Sequence, residues 1–332
     1  MSYNGQLSGD WVLRASELSA PHATQDSQCE SARSIASAPL TPQRMCFRIG
    51  GVSLAISGPS SCPFGSISSV EMFRIIECHP DLEVEVRWAD RLKTSICNAT
   101  FDSGAVWKVH RKDNDFIFDF ASDAVGPDPY KRMRTDGSFT SAQIILNREL
   151  LTDDVWPMEY PADELLITNY LARYGIGVEV HGCGLIDSEA GGLLFLGHSG
   201  AGKSTTTLLW KSLRNPEILS DDRIILRLHN NGELWMYGTP WHGEAAFASA
   251  HSAKLSGVFI LQHGERNQMV EMPRARAVGE LFARTFPPFH SAAGLERTVE
   301  FLTRVAEAVP CYEYQFLPDA GAVQAVLDFH DA

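Results

Sequence analysis

From residue 46 to residue 151 the apolar positions recur every second residue. Phe47, Ile49, Val52, Leu54 and Ile56 outline a strand with a kink or turn at Gly50-Gly51. Leu82, Val84, Val86 and Trp88 alternate with Glu83, Glu85 and Arg87, the pattern of a half-buried strand. Residues 105–110 and 116–120 flank Lys112, Asp113 and Asn114 and predict a hairpin. Asp136-Gly137 sits between 130–134 and 138–146 and predicts another. Residues 44–152 therefore read as an antiparallel β-rich domain. Its aromatic stripe (Trp88, Trp107, Phe116, Phe118, Phe120) reads first as core and second as the lining of a partner groove.

The pattern then changes. Residues 163–174 form an amphipathic helix that Gly175 can stop. Val178 and Val180 lead a strand toward His181, Gly182 and Cys183, and a turn through Asp187, Ser188 and Glu189 follows. The apolar run Gly192, Leu193, Leu194, Phe195, Leu196 is a buried strand, and 205–213 carries Leu208, Leu209 and Leu213 at helical spacing. Ile218, Leu219 and Ser220 make a short strand. Residues 223–229 and 233–237 flank Asn230, Asn231 and Gly232 as a hairpin. A buried strand over 254–262, helices over 273–286 and 296–308, a strand over 312–316 and a helix over 319–329 complete the chain. Strands and helices alternate, so 153–332 is expected to be an α/β domain. Residues 1–43, rich in Ser, Ala, Gln and Thr, read as a mostly disordered leader. A short helix around 11–18 would suit a segment that folds on a partner.

Composition narrows the partners. The 332 residues carry a formal net charge of −13, which argues against nucleic acid or an anionic membrane as the main partner. The seven cysteines (Cys29, Cys46, Cys62, Cys78, Cys97, Cys183, Cys311) are scattered, without a C-x-x-C or a Cys/His pair at zinc spacing. Reduced thiols in a cytoplasmic protein account for them most simply. The N-terminus shows neither a signal peptide nor a spanning helix.

The candidate chemistry lies between the buried strand and the helix that follows it. Gly197, His198, Ser199, Gly200, Ala201, Gly202, Lys203 and Ser204 fit the phosphate-loop pattern G-x-x-x-x-G-K-[ST], with Thr205 next in line. Its glycines let successive N–H groups turn toward an anion, and the helix N-terminus adds partial positive charge. Lys203 would reach the β- and γ-phosphates of ATP, and Ser204 would take a place on Mg²⁺. The bland alternative is a glycine-rich turn that binds nothing. Asp221 and Asp222 stand at the end of an apolar strand, either as a turn cap or as the paired carboxylates that phosphoryl transfer uses. His181 reads as a site residue or as a structural histidine. His242 and Glu244, in a Gly/Pro-rich loop, are candidates for acceptor contacts. Arg223, Arg274 and Arg276 are candidate charge donors.

The run from His181 through the phosphate loop to Leu219, Ser220, Asp221 and Asp222 resembles the catalytic domain of the HPr kinase/phosphorylase family. It is similar, more distantly, to ATP-dependent phosphoenolpyruvate carboxykinase. The resemblance covers roughly residues 155–330. It implies a P-loop kinase domain of the phosphoenolpyruvate carboxykinase-like type with a mixed sheet. It further implies Asp221 as general base, Asp222 and Ser204 on the metal, and His181 at the phosphate or nucleophile. The expected function is ATP- and Mg²⁺-dependent phosphorylation of a hydroxyl, with Ser foremost, on a protein, peptide or small metabolite. A nucleotide-sensing module without catalysis is the rival. An ABC-type or motor ATPase is set aside, because Leu255, Ser256 and Gly257 only mimic the start of the LSGGQ signature. The sequence leaves a homo-oligomer open.

Overall fold

The computed structural model describes residues 43–61, 63–94, 98–152 and 154–330. The leader expected over 1–43 lies, but for Gln43, outside the described residues, as do Cys29, Cys62 and Cys97.

Strands β1 (Gln43–Ile49) and β2 (Val52–Gly58) form a hairpin. Its turn places Gly50 and Gly51 at φ of 58° and 70°, where residues with a Cβ are strained. A Cβ at Gly50 would also lie 2.4 Å from Cδ1 of Ile225, so the turn docks against the second half of the chain. A four-residue helix, α1 (Ser68–Glu71), precedes β3 (Arg74–Ile75) and β4 (Leu82–Ala89). A meander of β5 (Phe101–Asp102), β6 (Trp107–Lys112), β7 (Asp115–Ser122), β8 (Gly126–Thr135) and β9 (Ser141–Asn147) follows. The nine strands share one sheet in the order β3-β1-β2-β4-β9-β8-β7-β6-β5.

This sheet is mixed, where the sequence pattern predicts an antiparallel one. Strand β4 runs parallel to both β2 and β9. Hairpin signals fix only neighbours joined by tight turns, and both of β4's partners are reached through long connections that let a strand return in the same direction. One apolar cluster spans the expected boundary at 152/153. Helix α2 (Ala162–Tyr174), stopped by Gly175 at φ 62°, places Leu165, Leu166, Ile167 and Leu171 in one apolar cluster with Phe47, Leu54, Val84 and Phe118. A change in hydrophobic period marks that boundary, whereas the helix's apolar face decides which sheet it covers.

The second half runs β10 (Gly177–Asp187), β11 (Gly191–Leu196), α3 (Lys203–Leu213), β12 (Glu217–Ser220), β13 (Arg223–Leu228) and β14 (Leu234–Tyr237). It continues through β15 (Ser252–His263), β16 (Gln268–Glu271), α4 (Arg274–Phe282), α5 (Ala292–Ala308), β17 (Cys311–Phe316) and α6 (Ala320–His330). Two long strands change partner along their length. The start of β10 pairs with β13 and its end with β11, while β15 pairs first with β14 and then with β11 and β17. Because β11 also pairs with β15, strands β11-β10-β13-β14-β15 close into a barrel of five.

The apolar run of β11 is buried on both faces, which explains its lack of alternation. Leu194 and Leu196 point into a cluster with Leu281, Phe301 and Leu302 of α4 and α5. Leu193 and Phe195 point into another with Trp210 of α3 and Val326 of α6. The two halves also meet at His290, whose ring stands edge-on to Phe118 at 5.5 Å and Phe116 at 5.7 Å between centroids. Among the described residues no helix is long and apolar enough to cross a membrane.

Candidate functional site

The barrel brings the candidate residues to one place through its register. Gly182 of β10 pairs with Leu196, the last residue before the glycine loop. On its other side the Gly182 N–H donates to the Asp222 carbonyl at 2.8 Å. One residue of the central strand therefore has the loop entry on one flank and the acidic pair on the other, with His181 adjacent. A side chain there has no room: a Cβ on Gly182 would lie 2.4 Å from Cδ2 of Leu196 and 2.8 Å from the Phe195 carbonyl.

In the loop, Gly200 and Gly202 take φ of 80° and 101°, open to glycine and strained for other residues. A Cβ on Gly202 would lie 2.5 Å from the Phe316 ring, and one on Gly197 would lie 2.7 Å from Cβ of Ala201. His198, Ser199 and Gly200 are exposed, as are Ser204 and Thr205 at the start of α3. The amides of Ser199, Gly200 and Gly202 donate to no group among the described residues, whereas Ala201 N–H donates to the His198 carbonyl at 3.0 Å. Lys203 is buried and its Nζ turns back to the carbonyls of Gly197 at 2.9 Å and His198 at 3.3 Å. Burial lowers its pKa and the Arg284 charge adds to that, while Asp222 and Asp221 oppose.

The two aspartates have different surroundings. Asp221 is buried and its carboxylate accepts three backbone N–H groups, from Gly243 at 3.1 Å, Ala245 at 3.0 Å and Phe247 at 3.2 Å. It anchors the loop over 243–247, and both of its oxygens are engaged by those amides. Glu244 on that loop and His242 just before it are exposed. Asp222 is half-buried, with Oδ1 3.1 Å from His181 Nε2 and Oδ2 3.3 Å from Arg223 Nε.

Arg223 is in turn held by Glu164 and, at 3.0 Å, by Glu179, and its guanidinium stacks 4.2 Å above the Phe286 ring. Burial raises the Glu179 carboxyl well above its usual range, and the negative charges of Asp163 and Asp222 add to it. Its Oε2 has no partner among the described residues. Asp163 behind it is pushed up to about 7 by burial, against the hydrogen bond it accepts from Trp241 Nε1 at 2.8 Å. Arg223 thus serves the acidic cluster behind the site.

Arg284, just past the C-terminus of α4, is the residue that sequence reasoning missed. Its carbonyl accepts the His181 N–H at 2.7 Å. Its Nη1 donates to the Glu280 carbonyl at 2.8 Å and carboxylate at 2.6 Å, while its buried Nε has no partner among the described residues. Burial lowers the His198 pKa, and the Arg284 charge is the next contribution. Nothing local in the sequence marks it, because the contact rests on the Val180–Thr285 bridge between β10 and the segment after α4. Arg276, weighed from sequence, instead pairs with Glu313 at an exposed edge.

Among the described residues no three His, Cys, Asp or Glu side chains converge as a metal site. Compared with known proteins, the chain matches no family model and no curated sequence.

Proposed function

We propose that the chain is an ATP-dependent kinase, of the kind found in the HPr kinase/phosphorylase family, that phosphorylates a hydroxyl of a protein, peptide or small metabolite. One observation carries this reading. A glycine loop with free amides and a buried lysine lies one residue-width from a half-exposed Asp–His pair, joined to it through Gly182.

The residues suit ATP. The unpartnered amides of Ser199, Gly200 and Gly202 and the N-terminus of α3 offer a cradle for phosphate oxygens. Lys203 would exchange its two carbonyl partners for the phosphates, and Arg284 Nε supplies an unmatched donor close by. For Mg²⁺ the chain offers the Ser204 hydroxyl. That is enough for an ion that keeps several waters and takes further ligands from the nucleotide phosphates.

Asp222 is the more exposed carboxylate of the pair, held by side chains at both oxygens where Asp221 is buried under backbone amides, and we assign it to the proton. Asp222 takes the acceptor's proton as the hydroxyl oxygen bonds to the γ-phosphorus and the bond to the bridging oxygen breaks. His181 fixes the orientation of Asp222. A carboxylate is a weak base, which suffices because the hydroxyl becomes acidic only late in a loose transfer. Asp221 contributes by holding the 243–247 loop, and Glu244 on it and His242 just before it face solvent where an acceptor would approach.

The test is calorimetry with ATP and Mg²⁺ on the wild type and Lys203→Ala, followed by transfer from labelled ATP to proteins and peptides encoded beside this gene. Loss of binding in Lys203→Ala together with label transfer is the expected result. Equal affinities would overturn the nucleotide site. Binding without transfer to any acceptor would leave a nucleotide-sensing module.

A further inference from the structure

Two thiols face each other in the first half of the chain, far from any role in the proposed reaction. Cys46 is buried on β1, and Cys78 is half-buried in the segment that joins β3 to β4. Their Sγ atoms are 2.9 Å apart, and no atom fits between them. The backbone around them is pinned at both ends. Cys46 pairs with Ile75 across the β1–β3 ladder, the Arg48 N–H donates to the Phe73 carbonyl at 2.8 Å, and the Asp81 N–H donates to the Ser53 carbonyl at 2.8 Å. The segment between cannot easily carry Cys78 away from Cys46. The other two described cysteines have different surroundings: Cys183 lies against Thr207 in the core, and Cys311 lies against the Val309 carbonyl.

We infer that Cys46 and Cys78 form a reversible disulfide site, closed by exchange with a low-molecular-weight disulfide such as oxidised glutathione. Cys78, the more accessible of the two, loses its proton to solvent. Its sulfur displaces one half of the small disulfide, which leaves as a thiol. Cys46 then loses its proton and attacks the Cys78 sulfur, so the protein S–S bond forms as the second small thiol departs. The two protein thiols are oxidised and the small disulfide is reduced to two thiols.

Burial and the neighbouring Cys46 push the Cys78 thiol up to about 11, with Arg44 and Arg48 opposing. Its reactive thiolate is therefore scarce at neutral pH, and closure is slow there and accelerates with alkalinity. Once formed, the bond ties the 76–81 segment to β1 and fixes β3. That strand edge is one wall of a groove of about 580 Å³ between the halves, lined also by Met72, Tyr237 and Ser252.

The full chain is incubated with excess oxidised glutathione, quenched by alkylation and mapped by peptide mass. A 46–78 cross-linked peptide, two hydrogens lighter than the reduced pair and restored by dithiothreitol, is the expected product. Its rate should rise about tenfold per pH unit between pH 7 and 9. The wild type should gain thermal stability on oxidation, and Cys78→Ser should not. Alkylation of both residues after oxidation would overturn the proposal. So would a persistent glutathione adduct on Cys78, or cross-linking of either residue to a different cysteine.

Discussion

The two halves of the molecule treat their buried charges in opposite ways. In the first sheet most of the buried charges close on one another, although Asp136 Oδ1 has no partner among the described residues. Asp119 accepts from Arg132 at 2.5 and 2.9 Å and sits 3.5 Å from His110. Lys131 is almost fully enclosed, bonds the carbonyl and carboxylate of Glu159 at 3.1 and 3.3 Å, and lies 5.0 Å from the Phe120 ring centre. In the barrel half the corresponding groups keep open valences. Glu179 Oε2 and Arg284 Nε have no partner among the described residues, and Lys203 bonds only its own loop. Buried polar groups are paired as a rule, and the exceptions beside the glycine loop are the ones that the proposed nucleotide would meet. The Asp119 and Lys131 clusters make the first half a largely closed platform.

Substitutions can break or sharpen that contrast. The largest effect is expected at Asp222. Asp222→Asn should lower phosphoryl transfer by about 10²- to 10⁴-fold, with the melting temperature nearly unchanged. Its Mg²⁺ requirement should stay where it is; an upward shift would return Asp222 to the metal. Asp221→Asn should lose stability and turnover together, because the 243–247 loop loses acceptors.

Next comes the platform. Asp119→Leu leaves Arg132 and His110 facing a void of charge, and unfolding free energy by urea titration should fall by about 3–5 kcal/mol. Nucleotide affinity should not change; a parallel loss would show that the halves are not separable in function.

His290, at the junction, should have a smaller and pH-dependent effect. Burial among aromatic rings, with the Arg111 charge adding to it, lowers its pKa from 6.5 to about 4. The unfolded chain then binds the extra proton first, so this residue's share of stability is full above about pH 6.5. It is lost as the pH falls toward 4, on the order of 3 kcal/mol at the acid limit. In His290→Phe that part of the acid-side slope of stability should vanish. The smallest effect is expected at the exposed Arg134–Asp115 pair, 2.6 Å apart. Arg134→Ala should cost less than about 1 kcal/mol.

What could be read from the sequence was local. The Gly50-Gly51 and Asp113-Asn114 turns, the strand before Gly197 and the helix after it all stand where the pattern put them, since each is set by neighbours in the chain. The parallel pairing of β4 with β2 and β9 depends on long connections and left no local trace. Neither did the change of partner along β10 and β15 that closes the barrel. Strand β16 was missed because Met269 and Val270 are too short an apolar run to register. The candidate site shows the same divide. Asp221 and Asp222 are adjacent on one strand end, and what separates them is a loop twenty-odd residues later that only the fold brings back. Arg284 entered through its backbone, which no side-chain pattern encodes.

That later loop has one more consequence. Asp221 grips it through main-chain amides at 243, 245 and 247, not through side chains. The frame is therefore indifferent to most of the residues it displays. His242 and Glu244 can be rewritten without disturbing the anchor, much as letters are changed on a sign whose bracket stays bolted to the wall. Changes at those outward positions leave the glycine loop and the Asp222–His181 pair untouched.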